Sequence, residues 1–221
     1  MPHIGFLQKN FISGIKKKIL SNGIMVFLEE LPERKKVVFV VGVGVGSKDD
    51  ASELAGISHF VEHIQFHSNR FRTPEQITED IEDGGADVNA GTEFDSTIFY
   101  VLGYPRYLSK NIRILYEALT NFEYNENEIE REKHEVLTEL RKDLDSPEEY
   151  YLTNLFIPTI LRKTFSDKPI LGSPKTIRRL ARDDLVSFKK RFYLPANMVI
   201  FVCGGFEEEK VMRVIERTFG R

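Results

Sequence analysis

Residues 58–67 read SHFVEHIQFH: two histidines four apart, a glutamate set directly before the second, and a third histidine four further on. On a helix, residues four apart share a face and rise roughly 6 Å along the axis. At about 100° per residue, Leu54, Ile57, Phe60, Val61 and Ile64 form one apolar arc, and His59, Glu62 and His63 gather on the opposite side. A solvated polar face is the plain account of such a trio. The chemistry supports a sharper one. Two neutral imidazoles at i and i+4 can converge on one tetrahedral zinc, and a carboxylate beside them can take a proton from water on the metal. His67 continues the stripe but lies roughly 12 Å from His59 along the axis, too far to share one ion. It reads as an outer or solvated residue.

A catalytic zinc usually keeps three protein ligands and an open position, so a third ligand must come from elsewhere. The pattern predicts a helix over 125–145 with Ile129, Val136, Leu140 and Leu144 as its core stripe. Glu132 and Glu139, seven apart and nearly superposed in projection, border that stripe, where carboxylates point to the interior or a cleft. His134 falls on the other side of the helix, and Glu135 sits further from the apolar edge. Taken singly, each glutamate is equally the charged flank of a surface helix.

The remaining pattern is that of an α+β protein. KKKILSNGIMVFLEE places two short apolar runs around Asn22-Gly23, a strong hairpin signal. VVFVVGVGVGS reads as a buried strand; Ser47 stands where a dinucleotide fingerprint needs its third glycine, so a Rossmann site is not expected. Thr73-Pro74-Glu75-Gln76 is a capping box that starts a helix ending at Gly84-Gly85. Two strands follow in ADVNAGTEFDSTIFYVLG, then helices over 105–121, 125–145 and 147–161, a loop over 166–174, a helix over 181–193, the strand NMVIFVCGG and a closing helix over 207–218. Strands and helices come in uneven groups, which favours a mixed, largely antiparallel sheet packed with helices over strict βαβ alternation. One domain over residues 1–221 is expected, with 1–14 as an N-terminal extension.

Composition narrows the functional classes. A net charge of -3 across 221 residues gives no basis for a nucleic-acid or anionic-membrane partner. Cys203 is the single cysteine, which excludes an intrachain disulfide and a multi-thiolate zinc site. The longest apolar run, Val37 to Val45, is about half a membrane span. The N-terminus lacks a signal-peptide apolar core, so a cytoplasmic location is the expectation.

HFVEH with a glutamate 76 residues beyond His63 resembles the inverted zinc-peptidase motif of the pitrilysin family, which includes insulysin and the mitochondrial processing peptidases. GVGSKDD, GGADVNAGTEFDSTIFY, EREKHEVLTEL with DSPEE, PILGSPKTI and RFYLPANMVIFVCGGF look like further family signatures in the same order, so the resemblance runs from about Lys16 to Phe219. It implies that His59, His63 and Glu139 are zinc ligands, that Glu62 is the general base, and that Glu132 supports the ligands from behind. Asn89 and Ala90, in NAGT, fall where the family contacts substrate backbone along an edge strand, a form of β-augmentation. Family members often carry a larger residue where Gly91 stands. The resemblance further implies a second related domain or subunit closing on the substrate peptide; no residue here matches the arginine and tyrosine that such a partner supplies.

Two other readings compete. S-ribosylhomocysteine lyase uses the same His-x-x-Glu-His pattern but needs a cysteine near the metal, and Cys203 lies far from any such motif. Non-catalytic scaffold or binding subunits of the family lose a ligand or the base, whereas all four residues are present here. A zinc metallopeptidase half or subunit that depends on a partner is the expectation.

Overall fold

The computed structural model describes residues 14–66, 72–120, 123–146, 148, 151–156, 159–160 and 168–221. His67 and most of the 1–14 extension lie outside the described residues. Six strands form one sheet: β1 (Lys16–Ile19), β2 (Met25–Glu30), β3 (Val37–Val43), β4 (Asp87–Thr92), β5 (Thr97–Gly103) and β6 (Met198–Gly204). Their spatial order is β1-β2-β6-β3-β5-β4. Every neighbouring pair is antiparallel except β2 and β6, which run parallel from Met25 opposite Val199 to Glu30 opposite Gly204. The α+β, largely antiparallel expectation therefore holds, and Asn22-Gly23 does turn β1 into β2, with Gly23 at φ 94°.

Alternation along the strands shows which face is covered. On β3, Val37, Phe39, Val41 and Val43 are buried while Val38, Val40 and Gly42 are half-exposed. The buried side packs against α1 (Ile57–Ile64), α2 (Pro74–Glu82), α3 (Leu108–Thr120), α4 (Glu126–Asp145), α5 (Pro174–Arg179), α6 (Arg182–Phe192) and α7 (Glu208–Thr218), which share one apolar core with it. The other side keeps apolar residues in contact with water, among them the stacked pair Phe27 and Phe201 with ring centroids 5.0 Å apart.

Three boundaries differ from the sequence pattern. The His-bearing helix begins at Ile57 rather than Leu54, because Ala55 is extended and Gly56 sits at φ 92°. The stretch 166–174 was expected to be loop and 181–193 the next helix, yet Pro174–Arg179 forms a helix of its own. Its capping box pairs Ser173 with Thr176, whose hydroxyl replaces the carboxylate or amide that the usual pattern requires. Within the expected helix 147–161, residues Tyr151–Phe156 form a single turn of π-helix.

The entry to α1 is a close backbone approach. A Cβ on Gly172, at φ 70°, would lie 2.1 Å from the Ala55 carbonyl oxygen, and one on Gly56 would lie 2.8 Å from that of Leu171. Both positions therefore exclude side chains twice, by conformation and by space. Gly172→Ala is expected to lower unfolding free energy by about 2–4 kcal/mol in urea titrations. Gly91→Ala, where a Cβ meets nothing within 4 Å, is expected to stay within about 0.5 kcal/mol of the parent.

Candidate metal centre

Almost every side of α1 is buried. Its apolar residues Ile57, Phe60, Val61 and Ile64 enter the core, while His59 (6% exposed) and Glu62 (8% exposed) are covered on the other side by α4 and β4. The polar trio is thus not a wet helix face. Buried polar groups need partners, and the arrangement supplies them. His63 Nδ1 lies 2.7 Å from Glu132 Oε1, and the Thr92 hydroxyl donates to Glu62 Oε2 at 3.2 Å.

The two imidazoles turn their Nε2 atoms towards one point, 3.1 Å apart. Glu139 Oε2 closes the triangle, 3.7 Å from His59 Nε2 and 3.5 Å from His63 Nε2. Bonds of about 2.0–2.1 Å to a tetrahedral zinc place neighbouring ligand atoms about 3.3 Å from one another, so these spacings suit a single ion. Glu62 also comes within the same 4.8 Å cluster as the two histidines. Hydrogen bonding separates the two carboxylates: Glu62 Oε2 is engaged by Thr92, whereas Glu139 Oε2 is buried with no hydrogen-bond partner. An orphaned buried carboxylate oxygen facing two imidazole nitrogens fits a third metal ligand. Glu132, two turns back on the same face of α4, holds His63 Nδ1 from behind. His134 and Glu135 are exposed, as their helix positions implied.

Electrostatics prepares the histidines differently. Burial, aided by the neighbouring His63, holds His59 down to about 3, so it stays neutral, the form an imidazole needs to bind a metal. Burial also pulls His63 down, but the Glu132 hydrogen bond and the charges of Glu62, Glu132 and Glu139 outweigh it and raise its pKa above the ordinary 6.5. Burial likewise raises Glu62 and Glu139 above the usual carboxylate range.

These groups floor an open groove of about 680 Å³ whose far wall is β4. β4 is the last strand of the sheet among the described residues, so one of its backbone edges pairs with no described strand. Asn89 Oδ1 accepts from the Ala90 N–H at 2.8 Å. Ala90 and Thr92 face inward, Asn89 and Gly91 outward. The family resemblance pointed to Asn89 and Ala90 but not to Thr92 and Asp143, all of which line the groove. Thr92 was accessible through its period-two relation to Ala90, and Asp143 through its i+4 relation to Glu139.

Comparison with known proteins places this geometry among peptidases. The family described as Insulinase (Peptidase family M16) matches residues 25–172, and the Peptidase M16 inactive domain matches 179–221. An uncharacterized zinc protease of Rickettsia felis is 30% identical over 200 residues, covering 90% of this chain and 48% of that protein. A probable mitochondrial-processing peptidase subunit beta of Schizosaccharomyces pombe is 27% identical over 201 residues, covering 91% of this chain and 44% of that one. The crystal structure of a protease from Helicobacter pylori superposes with a TM-score of 0.84 at 22% identity, over 93% of this chain and 50% of its own. The chain spans about half the length of the curated relatives it matches.

The two histidines should be separable by titration. In the metal-free protein, ring NMR is expected to show His59 uncharged between about pH 5 and 8, and His63 titrating above 6.5. Protons and metal compete for His63, so metal affinity should weaken as pH falls through that raised value. Glu132→Gln should move the onset to lower pH and weaken plateau affinity about 10-fold or more.

Proposed function

Because the chain belongs to the insulinase family of peptidases, family M16, we propose that it is the metal-bearing half or subunit of a zinc metalloendopeptidase that hydrolyses peptide bonds in unfolded or short peptides. The observation that carries this reading is the convergence of His59 Nε2, His63 Nε2 and Glu139 Oε2 on one point, 3.1–3.7 Å apart, beside the Glu62 carboxylate. Zinc held by those three residues would polarise the scissile carbonyl and acidify the attacking water.

The chain's own residues divide the remaining work. Glu62 is the general base. Thr92 occupies its Oε2, which leaves Oε1 to take the water's proton and pass it to the leaving amine. A pKa raised by burial makes that carboxylate a stronger base than one in water and a competent acid in the second step. Glu132 keeps the His63 ring turned so that Nε2 faces the ion. An extended peptide adds to the open edge of β4 and displaces the Asn89 amide from the Ala90 N–H. Gly91, with open space around it, leaves the adjoining subsite roomy.

The reading includes a second, homologous domain or subunit. An open groove on one sheet edge and relatives of twice the length both support it. A partner closing over the groove would exclude water and strengthen every charge interaction at the reacting carbonyl. No described helix is long and apolar enough to cross a membrane. The half-buried free thiol of Cys203 suits a reducing compartment such as the cytoplasm.

Glu62→Gln is expected to retain stoichiometric zinc and the parent fold while hydrolysis of a fluorogenic peptide falls about 10²–10⁴-fold. Glu139→Ala should lose zinc where Glu135→Ala keeps it, and the reverse result would move the third ligand. In sedimentation coupled to the same assay, turnover should depend on a second homologous domain or subunit. Substantial Glu62-dependent activity from a strictly monomeric 221-residue chain would exclude the partner.

A further inference from the structure

Two of the most deeply buried ionisable side chains outside the metal cluster sit at opposite ends of α1. At its N-terminus, Asp50 Oδ2 accepts from the Gly56 N–H at 2.7 Å and Oδ1 from the Ser58 N–H at 3.3 Å. At its C-terminus, the Gln65 N–H bonds the Glu62 carbonyl at 3.2 Å instead of continuing the ladder to Val61. The Gln65 side chain takes over that carbonyl, with Nε2 donating to Val61 O at 2.6 Å. Lys189, on α6, donates to Gln65 Oε1 at 2.6 Å, and the rings of Tyr124 and Tyr193 approach its Nζ to 5.7 and 5.5 Å.

We propose that Asp50 and Lys189 are positioning residues for the reacting groups: each holds one end of α1, so that His59, Glu62 and His63 are in place before metal or substrate arrives. The inference rests on the zinc-peptidase reading. An eight-residue helix has little stability of its own, with four donors and four acceptors at its ends left unsatisfied within the helix. This one carries its reactive groups in the middle and at the last turn, so fraying from either end would misplace them. The Asp50 carboxyl group satisfies two of the N-terminal donors. The Gln65 amide, fixed by Lys189, satisfies a C-terminal acceptor. Their signs match the helix dipole, acid at the positive end and base at the negative end. Burial pushes Asp50 up to about 7 and Lys189 down to about 7, against the pull of the dipole at both ends. The bonds at Asp50 favour its ionised form, while Lys189 can donate to Gln65 Oε1 whether charged or not.

The test compares local order with global stability on the 221-residue chain. Gln65→Met with Lys189→Met removes both partners of the C-terminal bond, so that neither a buried ammonium nor a buried amide is stranded, while the Val61 carbonyl and the Tyr124 hydroxyl lose the Gln65 amide and some fall in stability follows. Asp50→Asn keeps the volume but cannot accept at both positions. Urea midpoints, amide hydrogen exchange of the metal-free chain and zinc affinity by chelator competition are measured together. For the double methionine variant the proposal expects local losses beyond what any lowered midpoint accounts for: exchange about 10-fold or more faster at residues 62–65 than in the rest of the core, and zinc affinity reduced about 10-fold. In Asp50→Asn the faster exchange should instead appear at residues 57–59. Parental exchange and parental affinity in both variants would overturn it. So would losses that merely track a lowered urea midpoint, which would make the two residues ordinary structural groups. If the parent chain binds no zinc, the zinc-peptidase reading fails, and exchange in the metal-free chain still decides the positioning role.

Discussion

The structure depends on burying a polar helix. One imidazole and a carboxylate on α1 are buried and a second imidazole is half-buried, which costs free energy unless each finds a partner. Everything around the helix can be understood as an answer to that requirement. α4 brings Glu132 to His63 Nδ1, β4 brings Thr92 to Glu62, and Glu139 meets both Nε2 atoms from the groove side. Among the described residues, two atoms of the cluster are left over: His59 Nδ1 and Glu139 Oε2 are buried without a hydrogen-bond partner, and the latter faces both Nε2 atoms. A divalent cation would satisfy that oxygen, together with both imidazoles, in a single step.

The same packing separates roles among four acidic and basic groups crowded into a few ångströms. His59 is kept neutral by burial, and His63 is made more basic by the glutamate behind it. Glu62 and Glu139 both have raised pKa values because the groove is only partly open to water. Their tasks diverge through hydrogen bonding, since a hydroxyl engages one and nothing engages the other. The edge strand β4 serves twice, as the source of that hydroxyl on its inward face and as an unpaired ladder on its rim. On the proposed reading, docking of an extended chain and support of the base fall to neighbouring residues of one six-residue strand.

Much of this was legible in the sequence because the chemistry follows simple periods. The i, i+4 histidines, and the seven-residue spacing of Glu132 and Glu139, needed only a helix to bring them together. What escaped reading was whatever depends on a distant element. Projection placed His59, Glu62 and His63 opposite an apolar arc, which suggests water; α4 and β4 cover that side, and no local pattern announces the cover. Gly56 looks like an ordinary helix residue until the backbone of Gly172 is seen against it. Pro174–Arg179 was missed because a threonine, not a glutamate or glutamine, completes its capping box. Asp50 and Lys189 resemble surface charges in sequence, and only tertiary packing shows them to be interior.

The position of β6 has a bearing on how the molecule comes into being. This final strand, residues 198–204, lies between β2 and β3, which are formed by residues 25–43. Until it arrives, the sheet consists of two separate pieces, the β1–β2 hairpin and the β3-β5-β4 meander, each with an open ladder edge. During synthesis the strands formed by residues 16–103 must therefore wait, with open ladder edges, for a segment made about a hundred residues later. Such long-range pairing slows folding and lengthens the interval in which strand edges can find the wrong partner. Nascent-chain handling by chaperones, rather than the equilibrium stability of the finished sheet, then becomes the step at which yield is decided.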